Sequence, residues 1–85
     1  MKTTPKQKLL NDIKEGMTNG SVTLSVNIVI PDMPRNETVI NHRDNFQAKH
    51  DYYDSAYDDN LCLNANSEIR IASYLIGTNY VEVPE

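Results

Sequence analysis

The sequence predicts an α+β fold: one small domain spanning residues 1–85, with an antiparallel sheet of about four strands and two helices in the order α-β-α-β-β-β. Three observations predict it. Apolar residues recur at helical spacing near the N-terminus and again between residues 44 and 58. They alternate with period two over 21–30 and through the last third of the chain. A length of 85 residues leaves room for one core and no more.

The first helix is predicted over residues 4–17. Thr4 suits the N-cap, Pro5 the first helical position, and Gln7 completes a Thr-x-x-Gln capping box. Leu9, Leu10, Ile13 and Met17 follow on one face, and Gly16, Asn19 and Gly20 end the helix. Residues 21–30 read as a strand, since Val22, Leu24, Val26, Ile28 and Ile30 alternate with Thr23, Ser25 and Asn27. Pro31 stops it, and residues 31–37 read as an exposed, proline-stiffened loop.

Residues 44–58 fit a second helix, with Asp44 as cap and Phe46, His50, Tyr53 and Tyr57 on the inner face. Three strands are expected after it. One holds Leu61 and Leu63, one runs from Ile69 to Ile76, and a short one covers residues 80–83. The expected core is Leu10, Ile13, Val22, Leu24, Val26, Ile28, Leu61, Leu63, Ile69 and Ile71.

Composition narrows the function classes. Cys62 is the only cysteine, so an intrachain disulfide and a thiolate zinc site are both excluded. The first residues lack the apolar stretch of a secretory signal, and no apolar run approaches the ~20 residues of a membrane span. A reducing cytoplasm is the expected setting. Net charge is −4 and unevenly spread. Residues 1–50 hold seven Lys or Arg against five Asp or Glu, whereas residues 51–85 hold one against seven. The C-terminal part should therefore repel nucleic acid and anionic membranes, and should attract a basic protein surface.

No catalytic constellation is legible. Cys62 lies between two leucines, a setting in which a thiol is usually inert. No Cys/His signature frames His42 or His50, and the three glycines stand apart rather than forming a phosphate loop. The acidic residues lack the spacing and central glycine of a calcium loop. No enzyme activity, cofactor or metal is expected. Lys2, Lys6, Lys8 and Lys14 read as a solvated helix face.

The segment from His50 to Asn60 carries what signal there is. It holds four Asp and three of the five Tyr, and no Lys or Arg. On a helix, Asp51, Asp54 and Asp58 would form one stripe at one-turn spacing, about 5–6 Å apart, able to imitate a row of phosphates. Asp51, Tyr52, Asp54, Asp58 and Asp59 are the candidate partner-binding residues. Met33 and Arg35, types enriched at interfaces, are a second candidate contact. The competing reading is a solvated helix face.

A small acidic chain with one cysteine, no catalytic motif and an Asp/Tyr-rich segment such as 51–59 resembles the accessory proteins of bacteriophages. These include anti-CRISPR and anti-restriction inhibitors that act as DNA mimics. The resemblance lies in size, charge and style. It implies an inhibitor that blocks a basic host protein, such as a nuclease or other nucleic-acid-binding protein, without touching nucleic acid itself. The alternative is a small structural or assembly module, a homodimer or larger homo-oligomer, whose acidic face serves solubility.

Overall fold

The computed structural model describes residues 3–84. Helix α1 spans Pro5–Asn19 and is capped as its sequence predicts. The Gln7 amide N–H donates to the Thr4 hydroxyl at 3.1 Å, and the Thr4 N–H donates back to the Gln7 side chain at 3.1 Å. Gly20 ends the helix in the left-handed region at φ 85°, where only glycine avoids a side-chain penalty.

Strand β1 (Thr23–Val29) leads through the loop into β2 (Glu37–His42), an edge strand that no apolar alternation in the sequence predicts. A 3-10 turn over Arg43–Asn45 then precedes α2 (Phe46–Ala56). The second helix is thus shorter than the predicted 44–58. Asp44 lies in the turn and does not cap it, while Tyr57 and Asp58 fall beyond its end. Strands β3 (Cys62–Leu63), β4 (Asn66–Ile76) and β5 (Asn79–Glu82) complete the chain, so the observed order is α-β-β-α-β-β-β.

All pairings are antiparallel, in the order β2-β1-β4-β3, with β5 also on β4. Both helices lie on one face of this sheet. Leu9 and Ile13 of α1 and Phe46 and Tyr53 of α2 are buried there with Leu24, Val26, Ile71, Tyr74 and Ile76. Gly16 lets the layers close. A Cβ on it would lie 2.5 Å from Ile76 Cδ1 and 3.4 Å from Phe46 Cε2.

The expected core is corrected at several positions. Val22 is 63% exposed, because it precedes β1 and lies beyond the cover of the helices. Leu10, Ile28, Leu63 and Ile69 are half-buried. A bulge in β4 adds Tyr74 and Ile76 to the core. Asn27 pairs with Ser73 but Ile28 pairs with Ile71, so Ala72 is the extra residue and the alternation changes phase across it. Ile71 faces inward before the bulge, and Tyr74 and Ile76 face inward after it, which leaves Leu75 outside.

Two cations tie the helices down. Lys6 Nζ on α1 donates to the carbonyls of Asp54 at 2.9 Å and Tyr57 at 3.0 Å, at the C-terminal end of α2. Arg43 donates to the Met17 carbonyl in the last turn of α1 at 2.7 Å. Each meets carbonyls that a helix end leaves without partners, where positive charge also suits the helix dipole. Lys6 is therefore structural and not part of a solvated basic face. Lys8 pairs with Asp12 at 3.2 Å, and Lys2 lies outside the described residues.

Candidate functional site

The acidic-aromatic segment divides into an inner and an outer part. Tyr53 and Tyr57 are buried under the helix layer, whereas Tyr52 is 46% exposed. The three rings meet edge to face, with centroids 5.5 Å apart for Tyr52–Tyr53, 6.1 Å for Tyr52–Tyr57 and 5.6 Å for Tyr53–Tyr57. This is a favoured aromatic geometry, and it holds Tyr52 against a rigid base. Burial pushes the Tyr53 hydroxyl well above the ordinary tyrosine value and raises that of Tyr57, and the neighbouring tyrosines add to both shifts. Glu37 adds a smaller part of the shift at Tyr57.

Around Tyr52 the carboxylates have different roles. Asp51 has an exposed side chain and accepts from Gln47 at 3.0 Å, with His50 Nδ1 at 3.1 Å from the same oxygen. Asp54 is also open to solvent, with Lys6 Nζ 3.8 Å from its carboxylate. Asp58 is no longer part of a helical stripe. Its Oδ1 accepts from the backbone N–H of Asn60 and of Cys62, both at 2.9 Å, and so folds the turn into β3. Within that turn Leu61 adopts φ 62°, a strained conformation for leucine, and is held there by complete burial. Asp59 is exposed, and its carbonyl accepts from the Lys6 N–H at 3.1 Å.

The sequence reading found no cation to offset these charges. The fold supplies one, Lys6 from α1; Lys49 lies instead over the aromatic rings, its Nζ 5.2 Å from the Tyr52 centroid and 5.9 Å from that of Tyr53. The outward surface is accordingly Asp51, Tyr52, Asp54 and Asp59. Met33, 57% exposed, and Arg35 lie in the separate loop between β1 and β2.

Cys62 is half-buried and pairs across the sheet with Arg70. The two residues line an open groove of about 590 Å³ with Pro5, Ile71, Val83 and Pro84, and neither histidine reaches it. Among the described residues no three His, Cys, Asp or Glu side chains gather as a metal-holding group. No helix of the described chain is long and apolar enough to cross a membrane. Comparison with protein-family models, curated proteins and solved structures finds no match in any of the three.

Proposed function

We propose that this chain is a non-catalytic binding protein acting in a reducing cytoplasm. In this reading it is a phage-type inhibitor that blocks a basic, nucleic-acid-handling host protein through the outer face of α2. The observation that carries the reading is Tyr52. It is a 46% exposed aromatic braced by two buried tyrosines and flanked by Asp51 and Asp54, whose side chains are 68% and 60% exposed. A rigid aromatic with a polar tip, bordered by carboxylates, is the composition of an interface anchor that meets Lys or Arg. The carboxylates steer a basic surface inward and set its register, and Tyr52 supplies contact area. Met33 and Arg35, on the loop between β1 and β2, offer a second contact.

The test is capture of a basic partner, followed by binding kinetics at two ionic strengths. Asp51, Asp54 and Asp59 replaced together by Asn should slow association about tenfold at low salt and flatten the salt dependence. Asp58 is left intact, because its carboxylate holds the turn before β3. Unchanged association with an unchanged salt response would remove the acidic face from the interface. A second reading, a self-associating assembly module, draws support from a different surface, the sheet face that no helix covers.

A further inference from the structure

We propose that the bare face of the sheet binds a second copy of this chain, through a two-fold packing centred between β1 and β4. This rests on the reading of the chain as a self-associating module, and it does not depend on the acidic face. The exposed apolar side chains are not scattered over this face. The strand registers Ile40–Ser25, Ser25–Leu75 and Leu75–Tyr80 place four residues in one row across β2, β1, β4 and β5. Ile40 is 63%, Leu75 36% and Tyr80 56% exposed, and Ser25 is the gap in the ridge. Residues directly opposite across antiparallel strands point to the same face, so the row is a property of the register.

The row is complementary to itself. A two-fold axis parallel to the strands, between β1 and β4, lays β1 over β4 of the second copy and β2 over its β5. Leu75 then enters the hollow above Ser25 of the other copy, twice, and Ile40 packs on Tyr80, twice. Self-matching of this kind is what an isologous contact requires. Three members of the neighbouring row, Thr38, Asn27 and Ser73, tolerate burial, and the fourth, Glu82, stands at its end on β5. The Thr38 hydroxyl donates to Asn27 at 2.7 Å, and the Asn27 amide donates to the Ser73 hydroxyl at 2.8 Å, so this polar ladder is satisfied within the sheet.

Charge points the same way. Two copies at −4 each repel over most of their surface. Within the paired block of β2, β1, β4 and β5, this face carries one acid, Glu82. The axis places the two Glu82 side chains on opposite sides of the interface, roughly three strand spacings or about 14 Å apart, beyond a Debye length at physiological salt. Four strands give a footprint of roughly 20 by 20 Å in projection, the size of a concentration-dependent contact rather than an obligate one.

Sedimentation velocity of the full chain from about 5 to about 500 µM tests this. The wild type should shift from 9.7 kDa toward twice that mass as concentration rises. Leu75→Arg and Ser25→Arg should each weaken the dimer at least about tenfold, with the far-UV spectrum unchanged, and Tyr52→Ser on α2 should leave it intact. A wild type that stays monomeric throughout overturns both the pairing and the assembly reading. A dimer that survives both arginine substitutions overturns the sheet-face pairing alone. Should the arginine variants fail to fold, a mixture decides. Ile40→Cys and Tyr80→Cys proteins, each in a Cys62→Ser background, should cross-link with each other faster than either does with itself. Equal rates overturn the proposed axis.

Discussion

Phe46→Ala is expected to cost about 3–5 kcal/mol, the largest stability loss of any single truncation proposed for this chain. Phe46 is fully buried at the first position of α2. It sits where three elements meet, near Gly16 of α1 and Ile76 of β4. Its ring therefore fixes the height of both helices over the sheet, and a methyl group there would leave a void that none of the three can close alone. A domain of this size has roughly 4–13 kcal/mol of total stability. The loss would bring the folded state close to its limit at 37 °C. Urea unfolding monitored by circular dichroism gives the number. A cost under about 1 kcal/mol would show that the layers collapse onto the smaller side chain, and that the junction is held elsewhere.

Why Phe46 was legible and β2 was not is a question of how many neighbours a segment has. Phe46 and Tyr53 stand seven residues apart because a helix on a sheet buries one continuous stripe, whereas Tyr57 is buried from the extended residue that follows the helix. Strand β2 is an edge, paired only with β1 and half open to solvent. Its sequence Glu-Thr-Val-Ile-Asn-His needs no alternation, since Val39 faces the helices, Ile40 faces solvent, and Asn41 rather than an apolar residue is buried beside it. The bulge at Ala72 has no sequence mark at all. A period-two pattern read from Ile69 to Ile76 continues through it in the wrong phase, exposing Leu75 and hiding Tyr74.

The candidate surface was partly legible for a related reason. Local charge and aromatic density mark residues 51–59, but what offsets that charge is distant in the chain. Lys6 reaches α2 from 48 residues away, and its contact follows from the packing of α1 on α2 rather than from either sequence. Asp58 belongs with Asp59 and Asn60 in a turn, where such residues bond to backbone N–H groups two positions on. That composition was a turn signal in its own right, and extending the helix through it placed Asp58 on a stripe that ends at Ala56. The row of Ile40, Leu75 and Tyr80 required both the strand registers and the bulge before its members could be seen as neighbours.

Tyr74→Phe is expected to cost about 2–3 kcal/mol and to flatten the loss of stability at high pH. Tyr74 is 1% exposed on β4, and its hydroxyl donates to Asp12 Oδ2 on α1 at 2.6 Å. Lys8 approaches the same oxygen at 3.2 Å but from a half-exposed position. A hydrogen bond to a charged acceptor contributes about 1.5–3 kcal/mol, and the upper part of that range applies because Asp12 would lose its buried partner. Burial raises the Tyr74 hydroxyl far above the ordinary 10.0, and the hydrogen bond to Asp12 and its charge raise it further. The folded state thus keeps this proton at pH values where the unfolded chain has released it. The contribution is fully present below about pH 10 and is lost as pH rises toward the folded value. Tyr53 and Tyr57 are raised in the same direction and share in the loss. Unfolding free energies at pH 8 and above pH 10 should therefore diverge less in Tyr74→Phe than in the wild type, by about one proton's share of the slope. Asp12→Ala combined with Tyr74→Phe should cost less than the two changes summed, because either one alone already breaks the bond. Equal alkaline slopes in wild type and Tyr74→Phe would mean that Tyr74 ionises within the folded protein, and that the link between α1 and β4 is carried by apolar packing alone.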